Sequence, residues 1–293
     1  MIKSKFHKNI SLTRFTTIKV GGETEYLAEP TSESELVNSI KWAKLNHLEF
    51  RVIGAGSNLL IRNIFLEGLT ICTKKLKSIV IDQSKGLVYA ECGVMLPTLA
   101  SLLAKKSCKG GEWIVGIPGT IGGAIFMNAG YGEFSISQNL LSVKILNTKN
   151  LCVYEIDKED LEFSYRFSSF QQNNFIVLSA KFNFEPNGNT NLITDKTKSN
   201  LKIKTSTQPY HLPSFGSVFK NPKNNFAGKL IEETGLKGFK LGGAQVSLVH
   251  ANFIVNNSCA TSDDIYNLIT LIQQKVLQKK GIFLHPEVRM IGY

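Results

Sequence analysis

Residues 113–132 read WIVGIPGTIGGAIFMNAGYG. None of these twenty residues is charged, and six are glycine. An apolar run of this length could span a membrane, but Gly116, Pro118, Gly119, Gly122 and Gly123 would break such a helix at its centre. Glycine at this density lets the backbone approach a ligand closely and aim bare N–H groups at it. The expectation is a buried loop wrapped around a large, partly anionic cofactor. A tight turn packed in the core is the alternative from these residues alone.

Upstream, a strand expected at Phe50–Ile53 runs into Gly54-Ala-Gly-Ser-Asn-Leu-Leu60. This is half of a GxGxxG, so a dinucleotide-binding reading has to be tested. The third glycine would fall at Leu59, and Leu59-Leu-Ile-Arg and Leu69-Thr-Ile-Cys read as strands where a helix should follow. The Rossmann fingerprint fails on residue and on context. What remains is a strand ending in a glycine-rich anion loop, with Ser57 and Asn58 as side-chain donors.

The other elements follow α+β order. Ser32 and Glu35 have capping-box spacing before a helix with Leu36, Val37, Ile40 and Ala43 on its apolar face. Strands are expected at Ser78–Asp82 and Leu87–Cys92, and Pro97 suits the first position of a helix running to about Lys106. Leu140–Leu146 and Leu151–Ile156 read as a hairpin, and Phe175–Phe184 as a further strand. Pro186-Asn-Gly-Asn-Thr190 is the clearest compositional boundary, followed by a polar, lysine-rich segment to Pro209. Ser214–Pro222 reads as a polar, glycine-bearing loop. Phe226–Thr234 reads as a helix closed by Gly235, and Ala244–Val246 and Asn252–Val255 as strands. A long helix from about Asp263 to Lys280 places two aspartates in its first turn.

A chain of 293 residues should form two or three compact units. Its net charge of +11 comes from scattered lysines, so a solvated basic surface that attracts anionic substrates is expected rather than a nucleic-acid face. Five widely spaced cysteines without a CxxC pair support neither a disulfide framework nor zinc, and no metal site is expected. The first ten residues lack the apolar run of a signal peptide, and no segment reads as a membrane helix. Together these features give a cytoplasmic expectation with no membrane insertion.

Five segments, taken together, resemble the UDP-N-acetylenolpyruvoylglucosamine reductase family: Lys19-Val-Gly-Gly22, Gly54-Ala-Gly-Ser-Asn58, Gly116-Ile-Pro-Gly-Thr-Ile-Gly-Gly123, Gly216-Ser-Val-Phe-Lys-Asn-Pro222 and Pro286-Glu-Val-Arg289. Tyr165-Arg166, Leu230–Lys237 and Gly242–Val246 fit as well. The resemblance covers nearly the whole chain in order. It implies a two-subdomain FAD-binding fold of the vanillyl-alcohol oxidase type plus a C-terminal α+β substrate-binding domain. The corresponding boundaries are 1–72, 73–187 and 188–293. It further implies an NADPH-dependent flavoenzyme that reduces UDP-N-acetylglucosamine enolpyruvate to UDP-N-acetylmuramate for peptidoglycan synthesis, acting as a monomer.

Residue by residue, Arg166, Ser217 and Glu287 match the catalytic positions: carboxylate clamp, proton donor and proton-sharing acid. Non-covalent FAD is assigned to Gly54, Ala55, Gly56, Ser57, Asn58 and Leu59, and to Pro118, Gly119, Thr120, Gly122, Gly123, Ala124 and Asn128. Tyr165, Asn221 and Arg289 are assigned to substrate. The Asn128–Gly132 run is one residue shorter than the family's usual form, and the Arg166–Ser217 interval lacks the tyrosine-bearing insertion of one branch. Val246–Ala251 carries apolar residues where a Glu-Lys pair is common. The rival readings are a small-alcohol oxidase or dehydrogenase on the same cofactor fold, and a non-catalytic nucleotide- or RNA-binding protein.

Overall fold

The computed structural model describes residues 6–293. Residues 1–5 of the N-terminal stretch lie outside the described residues. The chain groups into two compact units. Of the described residues, the first comprises 6–8, 26–55 and 67–203; the second comprises 9–25, 56–66 and 204–293. This grouping is not sequential. Segments 9–25 and 56–66, placed with the first FAD-binding subdomain by the sequence reading, join the unit containing the last third of the chain.

In the first unit a five-stranded antiparallel sheet runs in the order Val153–Asp157, Leu140–Asn147, Phe175–Asn183, Leu87–Glu91, Ile79–Asp82. The helices Leu96–Lys105 and Ile121–Met127 belong to the same unit, as do the helix Glu33–Leu45 and a parallel pair in which Phe50–Ile53 runs beside residues 69–72 of the strand Phe65–Cys72. Their apolar faces meet in one core that includes Leu36, Ile40, Ile71, Leu99, Ile125, Val143 and Phe182. The Ser32 hydroxyl caps the helix by accepting from Glu35 N–H at 3.2 Å. The reciprocal half of the expected box reaches one residue further: the Glu35 carboxylate accepts from the main chain and hydroxyl of Thr31. Those bonds hold the Glu35 carboxyl below its usual range.

The second unit has its own core, in which Ile18, Val20 and Leu60 pack with Phe215, Val246, Ile254, Leu268, Ile272 and Leu284. Its four-stranded sheet runs Ser214–Ser217, Phe253–Asn256, Ala244–Val246, Lys240–Leu241. Leu59–Ile61 pairs in parallel with Arg289–Ile291, which draws the early segment to the chain's last strand. The helix Ser262–Lys280 opens on a Thr261/Asp264 capping box and ends at Gly281, whose φ of +67° only glycine takes readily.

Two expectations need correction, and one segment gains an element that the sequence reading did not assign. The stretch 113–132 is not a loop throughout, because Ile121–Met127 is helical with Thr120 as its N-cap. Its two glycines sit in the first turn, where low helix propensity hid the element. Ser214–Ser217 is a bulged strand rather than a loop. The lysine-rich segment after 190 is a helix, Thr190–Thr207, whose first turn is capped by the Asn189 side chain accepting from Asn191 and Leu192 N–H. Buried Ile193, Thr197 and Lys204 give it too few apolar anchors for a periodic signal.

Candidate active site

The glycine-rich stretches of the first unit meet at one point. A Cβ on Gly54 would fall 2.5 Å from Thr120 Oγ1, so the absence of a side chain is what lets the strand end touch the helix cap. A Cβ on Gly122 would lie 3.0 Å from Cys92 Cβ, which seats the helix on the sheet. Around this point Gly119 has φ +130°, Pro118 and Gly123 are exposed, and Thr120 and Ala124 are buried. Pro118 and Gly123 thus stay accessible on a stretch whose Thr120 and Gly122 are backed by Gly54 and Cys92. Burial pushes the Cys72 thiol up and the Cys92 thiol up to about 12, so both stay neutral and act as packing groups.

Asn128 closes the helix in the left-handed region at φ +44°. Its amide donates to the Ser164 carbonyl at 2.8 Å, while its Oδ1 is buried without a hydrogen-bond partner. An orphaned buried acceptor at the end of a glycine-lined backbone cradle fits a polar ligand that supplies a donor.

Arg166 sits at the tip of a two-stranded hairpin, Phe163–Ser164 with Phe167–Ser168. It has φ +55°, a strained value for a residue with a side chain. Its Nη2 donates to the Gly130 carbonyl at 3.0 Å, and its guanidinium lies 5.0 Å from the Tyr165 ring centroid. The shortened Asn128–Gly132 run is therefore a support for Arg166. Ser168 Oγ donates to the Phe126 carbonyl at 2.7 Å. Gln171 Nε2 donates to Phe126 and Arg166 carbonyls at 2.9 and 3.2 Å. Neither Ser168 nor Gln171 was expected. The alternation Phe163-Ser-Tyr-Arg-Phe-Ser168 was the signal for a hairpin there.

In the second unit Gly56, at φ +66°, packs so that a Cβ would fall 2.0 Å from the Phe15 carbonyl oxygen. The unit boundary follows Ala55. Gly56 O accepts from Thr17 N–H at 3.2 Å. Asn58 is tied to the last segment twice. Its amide donates to the Glu287 carbonyl at 3.1 Å, and its own carbonyl accepts from Arg289 N–H at 2.9 Å. Leu59 pairs with Arg289 in the parallel ladder.

Ser217 ends the bulged strand directly after Gly216, whose φ is +80°. Bulges of this kind bend a strand and re-aim the following side chain. The Val218 carbonyl then accepts Glu287 N–H at 2.7 Å, so Ser217 and Glu287 flank one main-chain hydrogen bond. Asn221 Oδ1 accepts Ala227 N–H at 3.0 Å, starting the next helix, and Arg289 is exposed. Ser57, Ser217, Asn58, Asn221, Glu287 and Arg289 all belong to this unit; Gly54, Ala55, Thr120, Asn128, Tyr165 and Arg166 belong to the other. Among the described residues no cluster of three or more His, Cys, Asp or Glu could hold a metal. No described helix is long and apolar enough to cross a membrane.

An FAD binding domain model matches residues 24–150, the stretch that holds the glycine cradle and the buried unpaired Asn128 acceptor, which places the chain among FAD-dependent oxidoreductases. The model described as UDP-N-acetylenolpyruvoylglucosamine reductase, C-terminal domain, matches 208–291. A protein of that name from Prochlorococcus marinus subsp. pastoris is 63% identical over 98% of this chain and 97% of its own. One from Synechococcus sp. WH7803 is 46% identical over 98% and 93%. The crystal structure of the Thermus caldophilus reductase covers 98% of this chain and 99% of its own, with TM-score 0.83 and 28% identity. The chain belongs to the UDP-N-acetylenolpyruvoylglucosamine reductase family.

Proposed function

We infer that this chain reduces UDP-N-acetylglucosamine enolpyruvate to UDP-N-acetylmuramate, a step of peptidoglycan precursor synthesis, with FAD as cofactor and NADPH as reductant. The observation that carries the reading is the full-length family match, on a chain that presents Arg166, Ser217 and Glu287 each in a built setting. It does not favour the small-alcohol oxidase or the RNA-binding reading.

Residues 1–72 and 73–187 supply the FAD-binding part, and 188–293 the substrate-binding part; the family matches at 24–150 and 208–291 support this division. Gly54–Leu59, Pro118–Thr120, Gly122–Ala124 and Asn128 hold the cofactor without a covalent link, mainly through main-chain groups. FAD held by these residues would supply hydride chemistry at the methylene carbon of the enolpyruvyl group. Negative charge then grows on the adjacent carbon and its carboxylate. Arg166 forks onto that carboxylate and stabilises the enolate-like state. Ser217 delivers a proton to the carbon; a serine hydroxyl does so only toward a strongly basic centre held in place. Glu287 shares a proton or hydrogen bond at the same centre. Arg289, Asn221 and Tyr165 bind substrate, Arg289 countering the diphosphate. The protein works as a monomer in the cytoplasm, where free Cys72, Cys92, Cys108, Cys152 and Cys259 are at home.

Product made in deuterated water tests these assignments. Deuterium should appear on the ether-bearing carbon, the position that the Ser217 hydroxyl is proposed to protonate. Ser217→Ala should accumulate reduced flavin in the presence of the enolpyruvyl sugar. Turnover of Ser217→Ala at the wild-type rate would remove the proton-donor role.

A further inference from the structure

We infer that Asn252 is a positioning residue for Ser217 and Glu287, holding the two peptide groups after the serine so that its hydroxyl is delivered in one place. The inference rests on the proton-donor reading of Ser217. Asn252 stands just before the strand Phe253–Asn256 and is 4% exposed. Its carbonyl accepts Val218 N–H at 2.9 Å. Its side chain grips the next residue from both sides: Oδ1 accepts Phe219 N–H at 3.0 Å, and Nδ2 donates to the Phe219 carbonyl at 2.8 Å.

The need for such a grip comes from the bulge. The ladder between Ser214–Ser217 and Phe253–Asn256 slips, with Ser214 opposite Val255 but Ser217 opposite Phe253. The ladder with Phe253–Asn256 ends beyond Ser217, and on that side the Asn252 amide pairs with the Phe219 main chain, while the other side of Phe219 bridges Pro286 on the segment that carries Glu287. The Val218 carbonyl, on the same peptide group as the Phe219 N–H that Asn252 holds, accepts Glu287 N–H. Asn252 thus holds the segment that follows the serine and to which Glu287 N–H is bonded, while Asn58 holds the Glu287 carbonyl. A buried amide with donor and acceptor both used is costly to replace, because each lost bond leaves a buried main-chain group unpaired.

Asn252 is itself oriented from behind. Its N–H donates to His250 Nδ1 at 3.2 Å, which requires that ring nitrogen to be unprotonated. Burial holds the His250 pKa down, and the ring packs edge-on against Phe253 with centroids 5.0 Å apart. A side chain at position 228 would crowd this ring, since a Cβ on Gly228 would lie 3.0 Å from His250 Cε1.

The test uses the holoenzyme in rapid-mixing experiments that separate flavin reduction by NADPH from re-oxidation by UDP-N-acetylglucosamine enolpyruvate. Asn252→Ala should leave flavin content unchanged and the NADPH phase within about twofold, while re-oxidation slows about 100-fold, the scale of an ångström-level misplacement. Asn252→Asp keeps the acceptor and loses the donor. It should be slow at neutral pH and regain rate relative to wild type as acid protonates the buried carboxyl, restoring a donor to the Phe219 carbonyl. If the alanine variant does not fold, the aspartate variant carries the same test. Equal slowing of both phases would mean a general structural role and overturn the inference. So would wild-type re-oxidation in both variants while Ser217→Ala is slow, leaving the serine's role intact. Wild-type re-oxidation in Ser217→Ala would instead remove the proton-donor reading itself.

Discussion

Arg166 and Ser217 are both presented by a kink of positive φ, but the kink falls on different residues. In the first unit Arg166 takes it, at φ +55°. In the second the kink falls on Gly216, one residue before the serine, at φ +80°. A glycine adopts this region at almost no cost, whereas a residue with a Cβ needs its surroundings to hold it there. The two settings differ accordingly. The arginine hairpin is bolted by three side chains, Asn128, Ser168 and Gln171, and its guanidinium is braced on Gly130. The serine bulge uses glycine for the kink and reserves its side-chain clamp, Asn252, for the peptides that follow. Strain located on a functional residue must be held from outside; strain located on a neighbouring glycine leaves the functional side chain free of it.

The largest effect should come from the serine. Ser217→Ala is expected to lower re-oxidation of reduced flavin by about 10³-fold, in the middle of the general-acid range, with sugar affinity little changed. A loss confined to KM would recast Ser217 as a binder. Arg166→Ala should lower turnover by about 10²-fold, the cost of removing a charge-stabilising donor.

The comparison itself is sharpened by glycine swaps. Arg166→Gly should lose as much turnover as Arg166→Ala but be about 1 kcal/mol more stable, because the left-handed backbone no longer carries a Cβ. Gly216→Ala should move the other way and destabilise the fold by about 1–2 kcal/mol. Denaturant midpoints of the four proteins check both signs. Equal stability of Arg166→Gly and Arg166→Ala would break the contrast drawn between the two kinks.

The smallest effect lies away from the chemistry. Main-chain bonds from Thr261 and Gly243 hold the Asp264 carboxyl below its usual value. Because the folded value is depressed, the stabilisation is complete at neutral pH and is lost as pH falls below about 4 and through the lowered folded value. Thr261→Ala, which removes the cap hydroxyl, should cost about 1 kcal/mol at pH 7. Asp264→Asn should flatten the acid limb of the stability curve. An unchanged acid limb would show that this capping box contributes nothing.

Much of this architecture is legible in the sequence where residue type and geometry coincide. Gly54 and Gly122 mark close approaches that a side chain would block, at Thr120 and Cys92. Strands after Asn58 exclude a Rossmann turn, and Leu59–Ile61 is indeed a strand. The sequence misleads where tertiary contacts override local preference. Gly122 and Gly123 are poor helix formers, yet their helix is fixed by packing on the sheet. Ser214–Ser217 looks polar and loop-like because Gly216 breaks its alternation at the bulge. The clamps on Arg166 and on the serine segment leave almost no local trace, since Gln171 and Asn252 act on main-chain atoms distant in sequence or hidden by a turn. The resemblance points to the side chains proposed to react but not to the residues that hold them.

One protein is expected to carry out both flavin half-reactions. An absorbance spectrum of the purified holoenzyme under anaerobic NADPH, before and after UDP-N-acetylglucosamine enolpyruvate, reads both. The oxidised flavin band should be lost with NADPH and return fully with the enolpyruvyl sugar, alongside UDP-N-acetylmuramate. A flavin that bleaches and stays bleached when the sugar is added would contradict the substrate assignment, and a protein that remains colourless with added FAD would contradict the cofactor site.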